Sequence, residues 1–312
     1  MTYALEAKNE LARRDLGKSC CQSAELAAFI RLSGNIQITG KRMALNVVTS
    51  NPAVARRIFS LFKCIFNLSS EILVRRKIRL KKNNVYLIRI SEPLRAREVL
   101  HRLGLMRDGV LVQETDELTV KSKCCRRAYL RGAFLAAGSV SNPENSYHLE
   151  IYTDYQRQAE ELATLIDSFG FKAKVTSRKN GYFAYIKDSE QIVGFLNVIG
   201  AHSALLNFEN IRILKGIRNK VNRLVNFETA NVNKTVDAAV KQAECIRIIE
   251  EAAGFTFFDA PLRRLAELRM ENPEASLQEL GQMLNPPLSK SGVNHRMRKL
   301  ERIAKQLLKD KK

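Results

Sequence analysis

The side chains best suited to recognise another molecule lie near the C-terminus. Polar and basic residues recur there at helical spacing on one face, and these are Lys290, Ser291, Asn294, His295 and Arg298. Lys and Arg can donate to guanine, Asn can bond to adenine through two atoms, and Ser can contact either base. We predict that these five residues contact DNA base edges, and that Arg296 and Lys299 contact phosphates.

Three helices are predicted over residues 261–308 to position this face. Pro261 begins the first helix, and Ser276 and Glu279 form an S-x-x-E capping box at the second. The sequence NPP at 285–287 stops the second helix, and Ser289 can cap the third. Helical spacing predicts a buried apolar stripe on the third helix, formed by Val293, Met297, Leu300, Ala304 and Leu307. A short helix, a tight turn and a longer basic helix are typical of a helix-turn-helix, whose second helix enters the major groove. The alternative is a three-helix bundle with a solvated basic face.

A second basic region extends from Arg56 to Arg107 and holds fourteen Lys or Arg and three acidic residues. Arg75, Lys77 and Arg79 alternate along a predicted strand, so they share one face of it. Such a row can contact phosphates, which adds affinity without reading sequence. The alternative is a solvated sheet face.

Length, composition and charge indicate a folded protein and the kind of partner that it binds. A chain of 312 residues predicts about two domains, and 45% apolar residues are enough to build a core. The net charge of +20 indicates a polyanionic partner, nucleic acid first. Aromatic residues are 7% of the chain and Trp is absent, which disfavours the stacking surfaces of single-strand binders. RNA binding stays an alternative to binding of double-stranded DNA.

The chain offers few signals for export, membranes or metal. Glu6, Lys8 and Glu10 interrupt the N-terminal segment where an export signal would be apolar, and the apolar run near 192–206 contains Asn197 and His202. We therefore expect a cytoplasmic protein without a membrane partner, with reduced cysteines. Because no cysteines form a CxxC pair and only four histidines occur, we expect neither a metal nor a cofactor.

An internal duplication organises the first two thirds of the chain. Residues 20–34 read CCQSAELAAFIRLSG and residues 124–138 read CCRRAYLRGAFLAAG, so that Gly34 and Gly138 lie 104 residues apart. Each copy predicts a helix rich in small residues, and such helices pack closely. In each half the predicted order is helix, strand, strand, helix, strand, strand, helix. The doubled cysteines read as small, half-buried residues, with redox sensing as the alternative.

The segments LAAFIRLSG (26–34) and LRGAFLAAG (130–138) resemble the two LAGLIDADG helices of single-chain homing endonucleases. The resemblance implies that these helices form a pseudo-twofold interface and that the sheets form a saddle over DNA. Nuclease activity in that family requires an acidic residue before each final glycine, where two carboxylates hold divalent metal. Ser33 and Ala137 occupy these positions here. We expect no catalytic residues and no enzyme activity, with an active metal-dependent endonuclease as the alternative.

Longer segments extend the resemblance to nearly the whole chain. NRLVNFETANVNKT and SLQELGQMLNPPLSKSGVNHRMRKL, together with both repeats, are similar to the WhiA family of bacterial regulators. The resemblance implies a Gram-positive, nucleoid-associated transcription factor that acts in sporulation, or in cell division, the cell cycle and chromosome segregation. Other transcription regulators and RNA polymerase are the further partners that it suggests.

The predicted fold class is α+β, with a duplicated αββαββ LAGLIDADG-like domain followed by an all-α helix-turn-helix domain. The first domain spans 1–220, with repeats at about 20–105 and 124–200, and the second spans 221–312. Two linking helices are predicted between 207 and 254, and turn or capping roles are predicted for the asparagines at their junction, with contact to DNA as the alternative. These are Asn222, Asn226, Asn231 and Asn233.

Overall fold

The computed structural model describes residues 2–39, 42–76, 84–179, 181–254 and 258–310. The chain forms two compact units, Met1–Lys215 and Gly216–Lys312. The sequence-based boundary between residues 220 and 221 lies inside the same helix as this division. Each unit is described separately below.

Two copies of one αββαββ arrangement make up most of the first unit. The first copy consists of α2 (Ser19–Ser33), β1 (Gly34–Thr39), β2 (Arg42–Thr49), α3 (Pro52–Phe66), β3 (Glu71–Arg76), β4 (Asn84–Ile90) and α4 (Pro93–Arg102). The second copy consists of α5 (Lys123–Ala137), β7 (Gly138–Val140), β8 (Leu149–Thr153), α6 (Gln156–Asp167), β9 (Lys174–Arg178), β10 (Gly181–Ile186) and α7 (Ser189–Ile199). The predicted order of elements is confirmed in both halves.

Three shorter elements complete the unit around the repeats. Helix α1 (Tyr3–Arg13) precedes the first repeat, and the two-residue strands β5 (Met106–Arg107) and β6 (Val110–Leu111) pair between the repeats. Apolar residues from α1 to Phe208 form one continuous core. The repeats therefore fold as one body rather than as two independent modules.

The two antiparallel sheets have the same strand order, β1-β2-β4-β3 and β7-β8-β10-β9. Gly34 pairs with Val47 in the first sheet, and Gly138 pairs with Ile151 in the second. Both members of the second pair lie 104 residues after those of the first, so the duplication preserves register as well as element order. Helices α3 and α6 cover equivalent strands of the two sheets.

Helices α2 and α5 pack directly against each other, as their small residues predict. Gly132 of α5 faces the backbone of Glu25 of α2, and a β-carbon at this position would overlap the Glu25 carbonyl oxygen. Ala28 also lies against Gly132. The close approach of the two backbones therefore depends on a glycine in the middle of α5.

A buried ionic cluster crosses this helix interface. Glu25 is fully buried and accepts hydrogen bonds from Arg57 of α3 and Arg131 of α5. Arg57 Nη2 lies 3.0 Å and Arg131 Nε 2.9 Å from Glu25 Oε2. Tyr129 holds the equivalent position of the second repeat and instead shares a hydrogen bond with Thr115. The cluster thus links the two repeats through the carboxylate of Glu25, which has no counterpart at the equivalent position of the second repeat.

A single long helix, α8 (His202–Ala253), follows the second repeat, where the sequence predicted two helices with a break. That prediction is wrong, and so are the turn and capping roles given to Asn222, Asn226, Asn231 and Asn233, since all four are exposed within the helix. Asparagine lowers helix propensity only modestly, so a few of them do not interrupt a long helix. Gly254 ends the helix with a left-handed φ of 72°.

The second unit contains the end of α8 and the helices α9 (Ala260–Glu271), α10 (Leu277–Gln282) and α11 (Lys290–Asp310). Its core joins Ile246 and Ile249 of α8 to apolar residues of the other three helices. The fold class is confirmed as α+β, with two αββαββ repeats followed by a helical region. In the described part of the chain, no helix combines the length and apolar character needed to cross a bilayer.

Candidate nucleic-acid interface

Helix α11 is held against the second unit by one apolar stripe. Val293, Met297, Leu300 and Ala304 are each at most 1% exposed and face α9 and α10. Leu307, predicted to join this stripe, is half-buried. Because these residues recur every three or four positions, the opposite face of the helix is left to solvent.

Local hydrogen bonds set where α10 and α11 begin. The backbone N–H of Glu279 donates to Ser276 Oγ, and the backbone N–H of Ser276 donates to Glu279 Oε2 over 2.7 Å. This reciprocal pair is the predicted capping box, and the backbone hydrogen bond lowers the pKa of the Glu279 carboxyl. At α11, the N–H of Gly292 donates to Ser289 Oγ. The predicted caps are therefore confirmed at both helices.

Two residues that the sequence analysis did not single out shape the turns on either side of α10. Gly281 lies so close to the Leu288 carbonyl oxygen that a β-carbon would overlap it. Arg269 is 1% exposed, and its Nη1 donates to the Ala275 carbonyl oxygen over 2.7 Å. Burial lowers the pKa of this guanidinium. Neither role could be inferred from spacing, because each depends on a backbone segment outside the residue's own helix.

The five predicted base-contacting residues lie together on the solvent side of α11. At 3.6 residues per turn they fall within an arc of about 140°. Lys290, Ser291, His295 and Arg298 are exposed, and Asn294 is half-buried beside the apolar stripe. This face combines cations, an amide and a hydroxyl, which are the donors and acceptors that can pair with base edges in a major groove.

The two predicted phosphate-contacting residues of α11 lie outside that arc. Arg296 is half-buried on the far side of the apolar stripe, and Lys299 is exposed. Lys299 Nζ lies 3.5 Å from Asp259 Oδ2. This ion pair is exposed and therefore weak, so that it leaves the ammonium group available to an anion.

The basic strand of the first unit is described only in part. Arg75 is exposed on β3, an edge strand whose described side chains are all exposed. Lys77 and Arg79 lie outside the described residues. Arg75 therefore has the accessibility that a phosphate contact needs, and the shared face predicted for the three residues stays a prediction.

The C-terminal ends of α2 and α5 carry no acidic side chain at the final positions of their motifs. Ser33 Oγ donates to the Phe29 carbonyl oxygen over 2.8 Å, and Ala137 offers only a methyl group. Glu150, one of the nearest acids in sequence, is bonded to His148 and Arg178. Among the described residues, no group of three or more imidazole, thiol or carboxylate ligands gathers at these helix ends.

The N-terminal ends of the same helices bring four thiols together. The sulfur atoms of Cys20, Cys21, Cys124 and Cys125 lie within 4.8 Å of one another. A hydrogen bond donated by Ser122 is the main cause that lowers the pKa of the Cys124 thiol to about 7, whereas burial raises the pKa of Cys21 to about 12. The doubled cysteines were visible in the sequence, but no contact between the two pairs was predicted. Their equal offset in two packed helices was the signal.

Comparison with known protein families gives three consecutive matches. Residues 19–106 match the WhiA N-terminal LAGLIDADG-like domain, and residues 126–218 match the WhiA LAGLIDADG-like domain. Residues 221–304 match the WhiA C-terminal HTH domain. Together the matches cover both repeats and the helix-turn-helix.

Individual relatives match over almost their full lengths. A protein of Heliobacterium modesticaldum called "Probable cell division protein WhiA" is 53% identical over 307 residues, which cover 97% of this chain and 96% of that protein. The protein of the same name from Macrococcus caseolyticus is 49% identical over 309 residues, with coverages of 98% and 97%. The crystal structure of full-length DUF199/WhiA from Thermatoga maritima is similar with a TM-score of 0.60 and 27% identity, covering 98% of this chain and 99% of that chain.

Proposed function

The chain belongs to the WhiA family, and from this premise we propose that it is a sequence-specific DNA-binding protein that regulates transcription. Its cellular role is in cell division, chromosome segregation or sporulation, at the nucleoid. The name of the relatives, probable cell division protein, supports the first of these roles. Other transcription regulators or RNA polymerase are the protein partners that such a role requires.

The observation that carries the proposal is the arrangement of α10 and α11. A capped short helix leads through a tight turn into a longer helix, whose apolar side is buried and whose opposite side is polar and basic. In a helix-turn-helix, residues in the N-terminal part of the second helix contact base edges. Lys290, Ser291, Asn294, His295 and Arg298 all lie in the N-terminal half of α11.

Binding by the full-length chain tests the proposal directly. Genome-wide co-precipitation and footprinting identify a target duplex, and fluorescence anisotropy then measures affinity for it and for unrelated DNA. We expect Arg298→Ala and Asn294→Ala each to weaken specific binding by about 1–3 kcal/mol, because each removes hydrogen bonds to a base. Binding to unrelated DNA should change less.

Arg264→Ala is the matched control. Arg264 is an exposed arginine on α9 that pairs with Glu267, so its removal takes away the same charge without touching the proposed interface. If Arg298→Ala and Asn294→Ala bind the target like the control, then α11 is not the recognition helix. Tighter binding of structured RNA than of the target duplex would support the RNA-binding alternative instead.

We further propose that the first unit binds DNA without cutting it. Arg75 on β3 contacts phosphate, so Arg75→Ala should weaken binding about equally for all duplexes and lower the dependence of log affinity on log salt by about one. Plasmid incubated with the protein and Mg²⁺ or Mn²⁺ should stay intact. Reproducible metal-dependent nicking would establish the endonuclease alternative and contradict this proposal.

A further inference from the structure

Four cysteines meet where the N-terminal ends of α2 and α5 lie side by side. Each repeat contributes an adjacent pair, Cys20 and Cys21 from the first and Cys124 and Cys125 from the second. All four sulfur atoms lie within 4.8 Å of one another, and all four thiols are free. A search of the described residues for three or more thiol, imidazole or carboxylate groups close enough to share one ion finds these four cysteines.

The spacing of the sulfur atoms matches a single tetrahedral ion. A zinc–sulfur bond of about 2.3 Å places the sulfur atoms of a tetrahedral site about 3.8 Å apart. The thiols therefore need to move by less than about 1 Å to coordinate zinc. An iron–sulfur cluster places several irons and sulfides between its cysteines and holds them farther apart, so the spacing favours one ion over a cluster.

Positive charge lies close to the four sulfur atoms. Two helix N-termini direct their positive dipole ends towards the sulfur atoms. Arg14, Arg127 and Arg131 line a pocket of about 530 Å³ together with Cys21 and Cys124. Asp15 lines the same pocket and Arg131 is paired with Glu25, so Arg14 and Arg127 supply the positive charge that can offset four thiolates and one divalent ion. The exposed Cys20 and Cys124 give the ion a path from solvent, whereas Cys21 and Cys125 are 9% and 5% exposed.

We propose that Cys20, Cys21, Cys124 and Cys125 bind one Zn²⁺ ion that joins the two repeats at the N-terminal ends of their paired helices. Binding releases the thiol protons and changes no oxidation state. The expectation of no metal rests on the presence of only four histidines and on the absence of a CxxC pair. That spacing describes ligands supplied by one loop, whereas here two packed repeats each supply two ligands.

Metal analysis of the full-length chain tests the site. We expect one zinc per chain after purification under reducing conditions, and the visible absorption of tetrahedral cobalt–thiolate coordination when Co²⁺ replaces zinc. Cys20→Ser and Cys124→Ser alter exposed side chains and should leave the fold intact by circular dichroism. Removing a residue that only hydrogen-bonds to a metal ligand typically weakens metal binding by roughly 10- to 100-fold. Removing one of the thiolate ligands should therefore weaken zinc binding by more than about 100-fold.

Cys64→Ser is the matched control, because Cys64 is an exposed free cysteine outside the cluster. This variant should keep one zinc per chain and the cobalt spectrum. The proposal is overturned if the wild-type chain neither holds nor takes up stoichiometric zinc, or if Cys20→Ser and Cys124→Ser bind it as tightly as Cys64→Ser. A disulfide within the cluster under the same reducing conditions, detected by mass spectrometry, or an iron–sulfur absorption spectrum would also overturn it.

Discussion

The two ends of the α2–α5 helix pair differ in the chemistry that they hold. At the C-terminal ends, the motif positions that carry acids in homing endonucleases are occupied by Ser33 and Ala137, a hydroxyl and a methyl group. At the N-terminal ends, four thiols lie within 4.8 Å of one another. The same packed pair thus carries no carboxylate at these two positions of one end and brings four soft ligands together at the other.

This difference shows that the helix pair packs without an acidic residue at the last position of either motif. The pair is held by the close contact at Gly132 and by the buried Glu25 with its two arginines. Both features lie between the two ends. The side chains at either end can therefore change while the packing in the middle is retained. Substitutions in the middle and at the C-terminal ends of the pair test whether these regions contribute independently.

The largest effect is expected in the middle of the pair, from Glu25→Gln. The substitution leaves Arg57 and Arg131 buried without a countercharge, so the free energy of unfolding should fall by about 3–5 kcal/mol. Chemical denaturation of the full-length chain measures the change. Glu98→Gln is the control, since Glu98 forms exposed ion pairs with Arg95 and Arg102 and should cost less than about 1 kcal/mol. Equal losses for both variants would show that the buried cluster does not hold the pair.

A smaller effect is expected from Gly132→Ala, which places a methyl group against the backbone of α2. Overpacking of this kind typically costs about 1–3 kcal/mol, and thermal unfolding would detect it. In Gly216→Ala the new β-carbon meets no atom within 4 Å, so that variant should instead gain up to about 1 kcal/mol from helix propensity. A stabilising Gly132→Ala would mean that α2 and α5 can separate without loss.

The smallest effect is expected at the C-terminal ends, from Ser33→Ala and Ala137→Ser. Neither position carries a group that the proposed function uses, so the free energy of unfolding and the affinity for target DNA should each change by less than about 0.5 kcal/mol. Denaturation and anisotropy titrations measure both quantities. A large loss of DNA affinity in either variant would show that these positions contribute to DNA binding, so that the two ends would no longer differ in the way described above.

The sequence was sufficient for the features that repeat or that depend on neighbours along the chain. The equal offset of Gly34 and Gly138 predicted two copies of one arrangement, and both sheets have the same strand order. The capping box at Ser276 and Glu279 depends on three-residue spacing and was predicted correctly. Helical periodicity likewise placed the apolar stripe of α11 and the polar face opposite it.

Features that depend on distant segments were beyond the sequence. The equal offset of the two cysteine pairs signals that they meet but not how close the sulfur atoms lie, and the burial of Arg269 requires the turn before α10. The predicted break in α8 failed for a different reason. Asparagine near residue 226 favours a helix end by residue type, but continued hydrogen bonding along α8 outweighs this small preference.

The contact between α1 and the start of α8 has a consequence for biosynthesis. Tyr3 donates a hydrogen bond to the Ala204 carbonyl oxygen, and the Glu10 carboxylate accepts from the N–H groups of Ser203 and Ala204 over 2.7 and 2.9 Å. Because a ribosome delivers the chain from its N-terminus, α1 emerges about two hundred residues before its partner exists. In the nascent chain, α1 therefore cannot form its hydrogen bonds to the start of α8 until nearly the whole first unit has left the exit tunnel.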